Sequence, residues 1–444
     1  MSAGSLIASV MVLGAAVTSP APLSSRHRPS DQEVRVTPLS LLNVGARMEE
    51  RGNLAGARGL YRLLSDNPDG EIRSEAQFRL AKLAIARKEW RDAALLLRHI
   101  LDDRPDSAVA RLSLAQALAE LGDENAALRE LRAAQAGVLP ADVARMVDRF
   151  STALRAKKPF GASLELAFAP DSNISSATNS DSLGTVFGDF EINPDSRERS
   201  GTGLSARGQL FARHGLVRQV NLLARLSGSG DFYRDKRFDQ NALDFSIGPE
   251  IAFGSTRLTI DAGATRRWYG FKAFQDSVRI GLNAGHSMGR TTYVRAIAGL
   301  ARVNNHFNDL QDGRSWSGGL GAEHAVDERT GIGANISGQR DRLADPGYSL
   351  RSWRAQILGW REIGRATMTA SVTLGGTRTD RRLLLFPDRR DDRFLALSLG
   401  GTARSLTAFG MAPFVRLTVE RNHSTIAFYD YRRRRIEVGF TRAF

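Results

Sequence analysis

The sequence predicts a two-domain protein, with an N-terminal all-α solenoid of stacked helix pairs followed by a C-terminal antiparallel transmembrane β-barrel of fourteen strands. Three observations carry this. Between residues 40 and 156 apolar residues recur at helical spacing in repeated units. From residue 160 the period drops to two, with small or apolar residues opposed to polar ones. The connections between these later segments alternate long and short, as in barrels of the outer membrane.

Composition bounds the function. At 444 residues two or three domains are expected, and 42% hydrophobic against 25% charged residues is enough to build cores. The absence of cysteine excludes disulfides, thiol catalysis and cysteine-based metal or iron–sulfur sites. The net charge of +14 comes from arginine, because Lys82, Lys88, Lys157, Lys158, Lys236 and Lys272 are the only lysines. The arginines are spread along the chain, the densest run being Arg432 to Arg435, and no nucleic-acid-binding motif accompanies them. Nucleic acid is therefore not expected as a partner; a surface or bore for acidic partners is.

The first element is "LIASVMVLGAAV", Leu6 to Val17, followed by "TSPAPLSSR". A run of twelve residues is too short to span a bilayer, which takes about 20. The run matches the core of a secretory signal peptide over residues 1–22, atypical in having no basic residue before it.

The second element is three variants of one pattern: "RGNLAGARGLYRLLSDNP", "RKEWRDAALLLRHILDDRP" and "LGDENAALRELRAAQAGVLP". Each carries a small residue (Ala57, Ala93, Ala127), a larger one four positions later (Tyr61, Leu97, Leu131), and a closing proline. Ala57 to Ala93 is 36 residues and Ala93 to Ala127 is 34. The pattern resembles the tetratricopeptide repeat, in which small residues let antiparallel helices approach and proline stops the second one. A generic helical bundle is the competing reading. "ADVARMVDRFSTALR", Ala141 to Arg155, reads as a terminal capping helix. The whole domain, residues 40–156, is of a kind that binds peptides and proteins.

The third element runs from Phe160 to Phe444. "QVNLLARLSG" opposes Val220, Leu222, Ala224 and Leu226 to Asn221 and Arg225, and thirteen further segments repeat the alternation. Arginine is expected to be the commoner charge facing inward. Long connections are expected near 170–200, 230–240, 267–276, 303–314, 340–350, 378–392 and 421–434. Short ones are expected at Arg213–Val217, Gly254–Thr256, Gly289–Arg290, Asp327–Thr330 and 361–365, with a less regular turn near 404–409. Short turns belong on the periplasmic side, so the helical domain is expected in the periplasm and the barrel in the outer membrane, in contact with its lipid. The ending "IEVGFTRAF" places Glu437, Gly439 and the terminal aromatic Phe444 in the pattern that the barrel assembly machinery reads; Arg442 stands where an apolar residue is usual. A soluble β-sandwich or propeller is the competing fold.

No catalytic constellation is visible. His27, His99, His214, His286, His306, His324 and His423 are solitary, so no metal site is expected, and no cofactor motif is present. "DSNISSATNSDS" lacks the glycine and glutamate of a calcium loop. Within it Asp171, Asn173, Ala177 and Thr178, just after the first strand, resemble the surface lipoprotein assembly modifier family, with Ser175 where a second asparagine is typical. The resemblance extends from about Leu41 to Phe444. It implies an outer-membrane translocon, not an enzyme, that moves client proteins, often lipoproteins, to the cell surface. The alternative is a polysaccharide or solute export porin with a periplasmic helical domain.

Overall fold

The computed structural model describes residues 37–136, 160–217, 219–403, 406 and 411–442. The signal segment, the helix expected over Ala141–Arg155 and Phe444 lie outside these residues.

Six helices form the N-terminal part: α1 (Pro38–Glu50), α2 (Leu54–Leu64), α3 (Gly70–Ala86), α4 (Trp90–Asp103), α5 (Ala108–Leu121) and α6 (Glu124–Ala136). Their boundaries follow from local chemistry. Thr37, Asn53, Asp69 and Ser107 cap the first, second, third and fifth helices by accepting backbone N–H groups that have no intrahelical partner. Gly122 ends α5 in the left-handed conformation, φ 88°. Each helix packs mainly on its neighbours in sequence. The repeated small and large positions form the core: Ala57, Ala93, Ala127, Tyr61, Leu97 and Leu131 are all buried. Gly45 shows how closely α1 and α2 meet, since a Cβ there would lie 2.6 Å from the Tyr61 ring. This arrangement is compatible with tetratricopeptide-like pairing.

Fourteen antiparallel strands close into a barrel. They are β1 (Phe160–Asp171), then β4 (Gly201–Val217), β5 (Val220–Tyr233), β6 (Gln240–Phe253), β7 (Thr256–Tyr269), β8 (Lys272–Met288), β9 (Thr292–Asn305) and β10 (Gly313–Ala325). β11 (Thr330–Leu343), β12 (Leu350–Ile363), β13 (Ala366–Thr379), β14 (Asp391–Ala403), β15 (Met411–Ser424) and β16 (Tyr431–Arg442) complete it. A hairpin outside the barrel, β2 (Ser182–Thr185) and β3 (Gly188–Glu191), sits in the first long connection. Each barrel strand pairs with its neighbours, and β1 closes on β16 from Glu165 opposite Thr441 to Asp171 opposite Arg435. Both β1 and β16 therefore bring their helix-side ends to one rim, the near rim; the long connections crown the far rim.

The alternation in sequence becomes two faces. Leu320, Ile357 and Leu399 project outward, each more than 60% exposed, as a closed barrel needs for lipid. Ser227, Asp244 and Thr373 project into the bore. Among the described residues no dry sandwich core lies between two sheets.

Two expected connections are absent. β7 and β8 run on past the expected break near 267–276 and are joined by Gly270 and Phe271 alone, both with φ near +60°. Backbone pairing continues through Trp268 opposite Ala273 and Tyr269 opposite Lys272, beyond the point where apolar alternation fades. Arg213–Val217 is likewise not a turn but the end of β4, where a register shift between Gly215 and Val217 absorbs the irregularity.

Candidate functional site

The bore is lined by ion pairs. At the seam between first and last strands, Glu165 and Glu437 lie on facing strands and share Arg207 and Arg416 at 2.9–3.2 Å. Above them Arg435 bonds Asp231 at 2.6 Å, and Arg433 grips the buried Asp171 carboxylate at 2.6 Å. A second cluster on β4 to β8 joins Arg213 to Glu250 at 2.7 Å and Arg279 to Asp261 at 2.6 Å. Arginine does not predominate inward, contrary to the sequence expectation. Carboxylates and guanidinium groups alternate around the bore in about equal number, because an enclosed charge without a counter-ion is costly. The excess arginine is elsewhere, on the outward face.

The helical domain lies across the near rim. Arg98 of α4 and Arg111 of α5 converge on Glu130 of α6 at 2.7 and 2.8 Å, and both reach Glu362 at the end of β12, at 3.3 and 3.6 Å. Arg111 is only 1% exposed. Burial pushes the Arg98 guanidinium down, but Glu130 and Glu362 raise it further, so it stays charged. Arg132 of α6 bonds Glu323 of β10 at 2.8 Å and stacks over Tyr293 of β9. Ala412 of β15, fully buried, joins the apolar cluster of α4, α5 and α6. The α5–α6 turn at Gly122 and Asp123 reaches a cavity shared with Ser163, Gln209 and Arg213 of the barrel wall. The helices thus roof the mouth of the bore, a juxtaposition that spacing in the sequence does not reveal. A signal for it existed: Arg98 interrupts "AALLLRHIL" on a buried helix face, and a buried arginine demands a carboxylate. That one of its partners comes from the barrel could not be read there.

Outside the strands, burial pushes the His99 imidazole below its usual value, with Arg365 of the β12–β13 turn adding to it. Burial, then the hydrogen bond to Glu49, raises the Tyr61 hydroxyl to about 12. Among the described residues no group of three or more histidine, aspartate or glutamate side chains could hold a metal ion.

The loop motif is a folded clasp. Fully buried Asn173 donates to the Ala177 carbonyl at 2.7 Å and to the Arg432 carbonyl of β16 at 3.0 Å, and its Oδ1 accepts the Ala177 N–H. Asp171 accepts the Asn173 N–H at 2.9 Å besides holding Arg433. Thr178 is buried and accepts the Ser180 N–H. These four residues are brought together; Glu437 and Gly439 lie lower on the same seam. Glu437 belongs to the ion cluster. Gly439 is pressed against β1: a Cβ there would meet the Leu166 carbonyl oxygen at 1.9 Å.

Several known proteins are similar to this chain. A curated protein of Haemophilus influenzae, "Surface lipoprotein assembly modifier 1", is 21% identical over 366 residues, covering 80% of this chain and 74% of its own. Among solved structures, a Pseudomonas aeruginosa FadL homologue covers 72% of this chain and 94% of its own at 11% identity and a TM-score of 0.37. The outer-membrane protein OmpT of Vibrio cholerae covers 64% and 99% at 8% identity and a TM-score of 0.36. Those two likenesses are distant and add nothing to the barrel observed directly. The family model for the surface lipoprotein assembly modifiers matches residues 162–444, the barrel from within β1 onward. The chain belongs to the surface lipoprotein assembly modifier family.

Proposed function

We propose that this protein moves or displays client proteins, surface lipoproteins foremost, across the outer membrane. In this reading the helical domain stands in the periplasm and captures the client, and the barrel gives the exit. The supporting observation is the seating of a protein-binding type of helical array over the mouth of a family barrel, through Arg98, Arg111 and Arg132 against Glu362 and Glu323. No nucleotide site is visible in the sequence, so folding of the client outside would give the movement direction. The clasp of Asp171, Asn173, Ala177 and Thr178 would hold the seam closed. Glu437, Gly439 and Phe444 would present the last strand to the barrel assembly machinery. The chemistry is transport, not catalysis.

The test is display of a lipoprotein of the same cell, read by antibody on intact cells. The full chain is compared with one lacking residues 41–156. The truncated barrel should insert and fail to display; normal display would refute the helical domain as receptor. Polysaccharide export is the second reading, favoured by the many carboxylates in the bore, and predicts loss of surface glycan with lipoprotein display intact.

A further inference from the structure

The outward face of the far rim carries two rows of arginine that the fold neutralises only in part. Arg302 of β9, Arg314 of β10 and Arg342 of β11 are successive cross-strand partners on one face. Arg340 of β11, Arg351 of β12 and Arg378 of β13 form a second row beside it. Directly opposed like charges on a sheet destabilise it. Elsewhere on that face Arg266 is paired with Asp276 at 2.6 Å and Arg421 with Asp430 at 2.8 Å. In these rows Asp380 pairs with Arg340 at 2.5 Å and Asp391 with Arg378 at 3.3 Å. Among the described residues Arg302, Arg314 and Arg351 have no ion-pair partner. All three are exposed.

Their height is set by tryptophan. Trp316 of β10 and Trp353 of β12 stand on the same outward face, two residues along from Arg314 and Arg351 toward the near rim. Below them come Leu320 and Ile357, both bare. Tryptophan marks the edge of the hydrocarbon layer, so the arginines stand at headgroup depth. Arg342 also lies over the Trp316 ring, 5.6 Å from its centre.

Guanidinium groups at cross-strand spacing match phosphate oxygens, which they bind through paired N–H donors. We propose that these rows bind the phosphate groups of the phosphorylated glycolipid of the outer leaflet. The assignment to that leaflet rests on the orientation given under Proposed function. The bound glycolipid supplies the counter-ions that the protein lacks, and holds the β9–β13 wall at a fixed depth and tilt.

The test uses the full chain in neutral detergent, titrated with bis-phosphorylated lipid A, with the same lipid stripped of both phosphates, and with phosphatidylglycerol, bound lipid being counted by native mass spectrometry. Phosphate-dependent binding of lipid A is expected, weakened about a hundredfold by Arg302→Gln, Arg314→Gln and Arg351→Gln together and little changed by Arg266→Gln. Equal binding of the stripped lipid, or of phosphatidylglycerol, overturns the proposal without any variant being needed. So does undiminished binding by a triple variant that keeps its folded gel mobility. Because the chain has no cysteine, Asp309→Cys on the β9–β10 connection can be labelled with an impermeant maleimide on intact cells. No labelling refutes the orientation and removes the assignment to the outer leaflet. Labelling without phosphate-dependent binding refutes this proposal alone.

Discussion

Replacing Glu130 by glutamine tests whether the helical domain depends on its buried ion pairs. Glu130 receives Arg98 and Arg111, each no more than about a tenth exposed. Removing one member of a buried pair costs about 3–5 kcal/mol, because the remaining charge has no water to return to. Glu362 stays within 3.3 and 3.6 Å of the two guanidinium groups, so part of the compensation survives and a loss of about 2–3 kcal/mol is expected. Each kcal/mol moves the midpoint of a domain this size by about 4–8 °C. The helical transition of Glu130→Gln, followed by far-UV ellipticity in the full chain, should therefore fall by at least about 8 °C. The strand signal of the barrel should melt where it did before. An unchanged helical midpoint would show that the arginines find water in solution and that the roof is looser than its geometry.

Glu362→Gln removes the barrel's share of the same cluster, so the roof should lift more often and single-channel conductance in planar bilayers should rise; identical conductance would mean that the helices do not obstruct the bore. Gly439→Ala forces a Cβ against the Leu166 carbonyl and should abolish the compact gel mobility of the unheated barrel, while the same change at Gly359, where nothing crowds a Cβ, should leave it intact. His99 is held below its ordinary value in the folded state, so the unfolded chain takes up its proton first as pH falls. Helical stability should drop on acidification through about pH 6.5, the decline should be shallower in His99→Gln, and a rise in stability would refute the placement of Arg365 beside the ring.

Much of the barrel was legible because its physics is local. Leu164, Leu166 and Phe168 must face lipid if Glu165 faces water, and neighbouring strands repeat the choice. Ala57, Ala93 and Ala127 likewise declared the close helix contacts through their size. The misreadings arose where local signals faded. The first residues of β8 looked like loop because cross-strand bonding, not apolar alternation, holds them. The balance of charge inside the bore was hidden because inward and outward arginines look alike until register assigns them a face. Asp171 and Asn173 were noticed by family resemblance; their job as a clasp needs Arg432 and Arg433, about 260 positions away. No spacing rule reaches that far.

That clasp has a consequence for assembly. The loop after β1 bonds the last strand through Asn173, Asp171 and the Ser172 N–H to the Arg434 carbonyl. An early-made segment thus cannot settle until the final one arrives, and contacts between such distant parts of a chain form slowly. Closure must be a late event of folding, and a chain truncated before Tyr431 would form an open, curled sheet with both its edges unsatisfied.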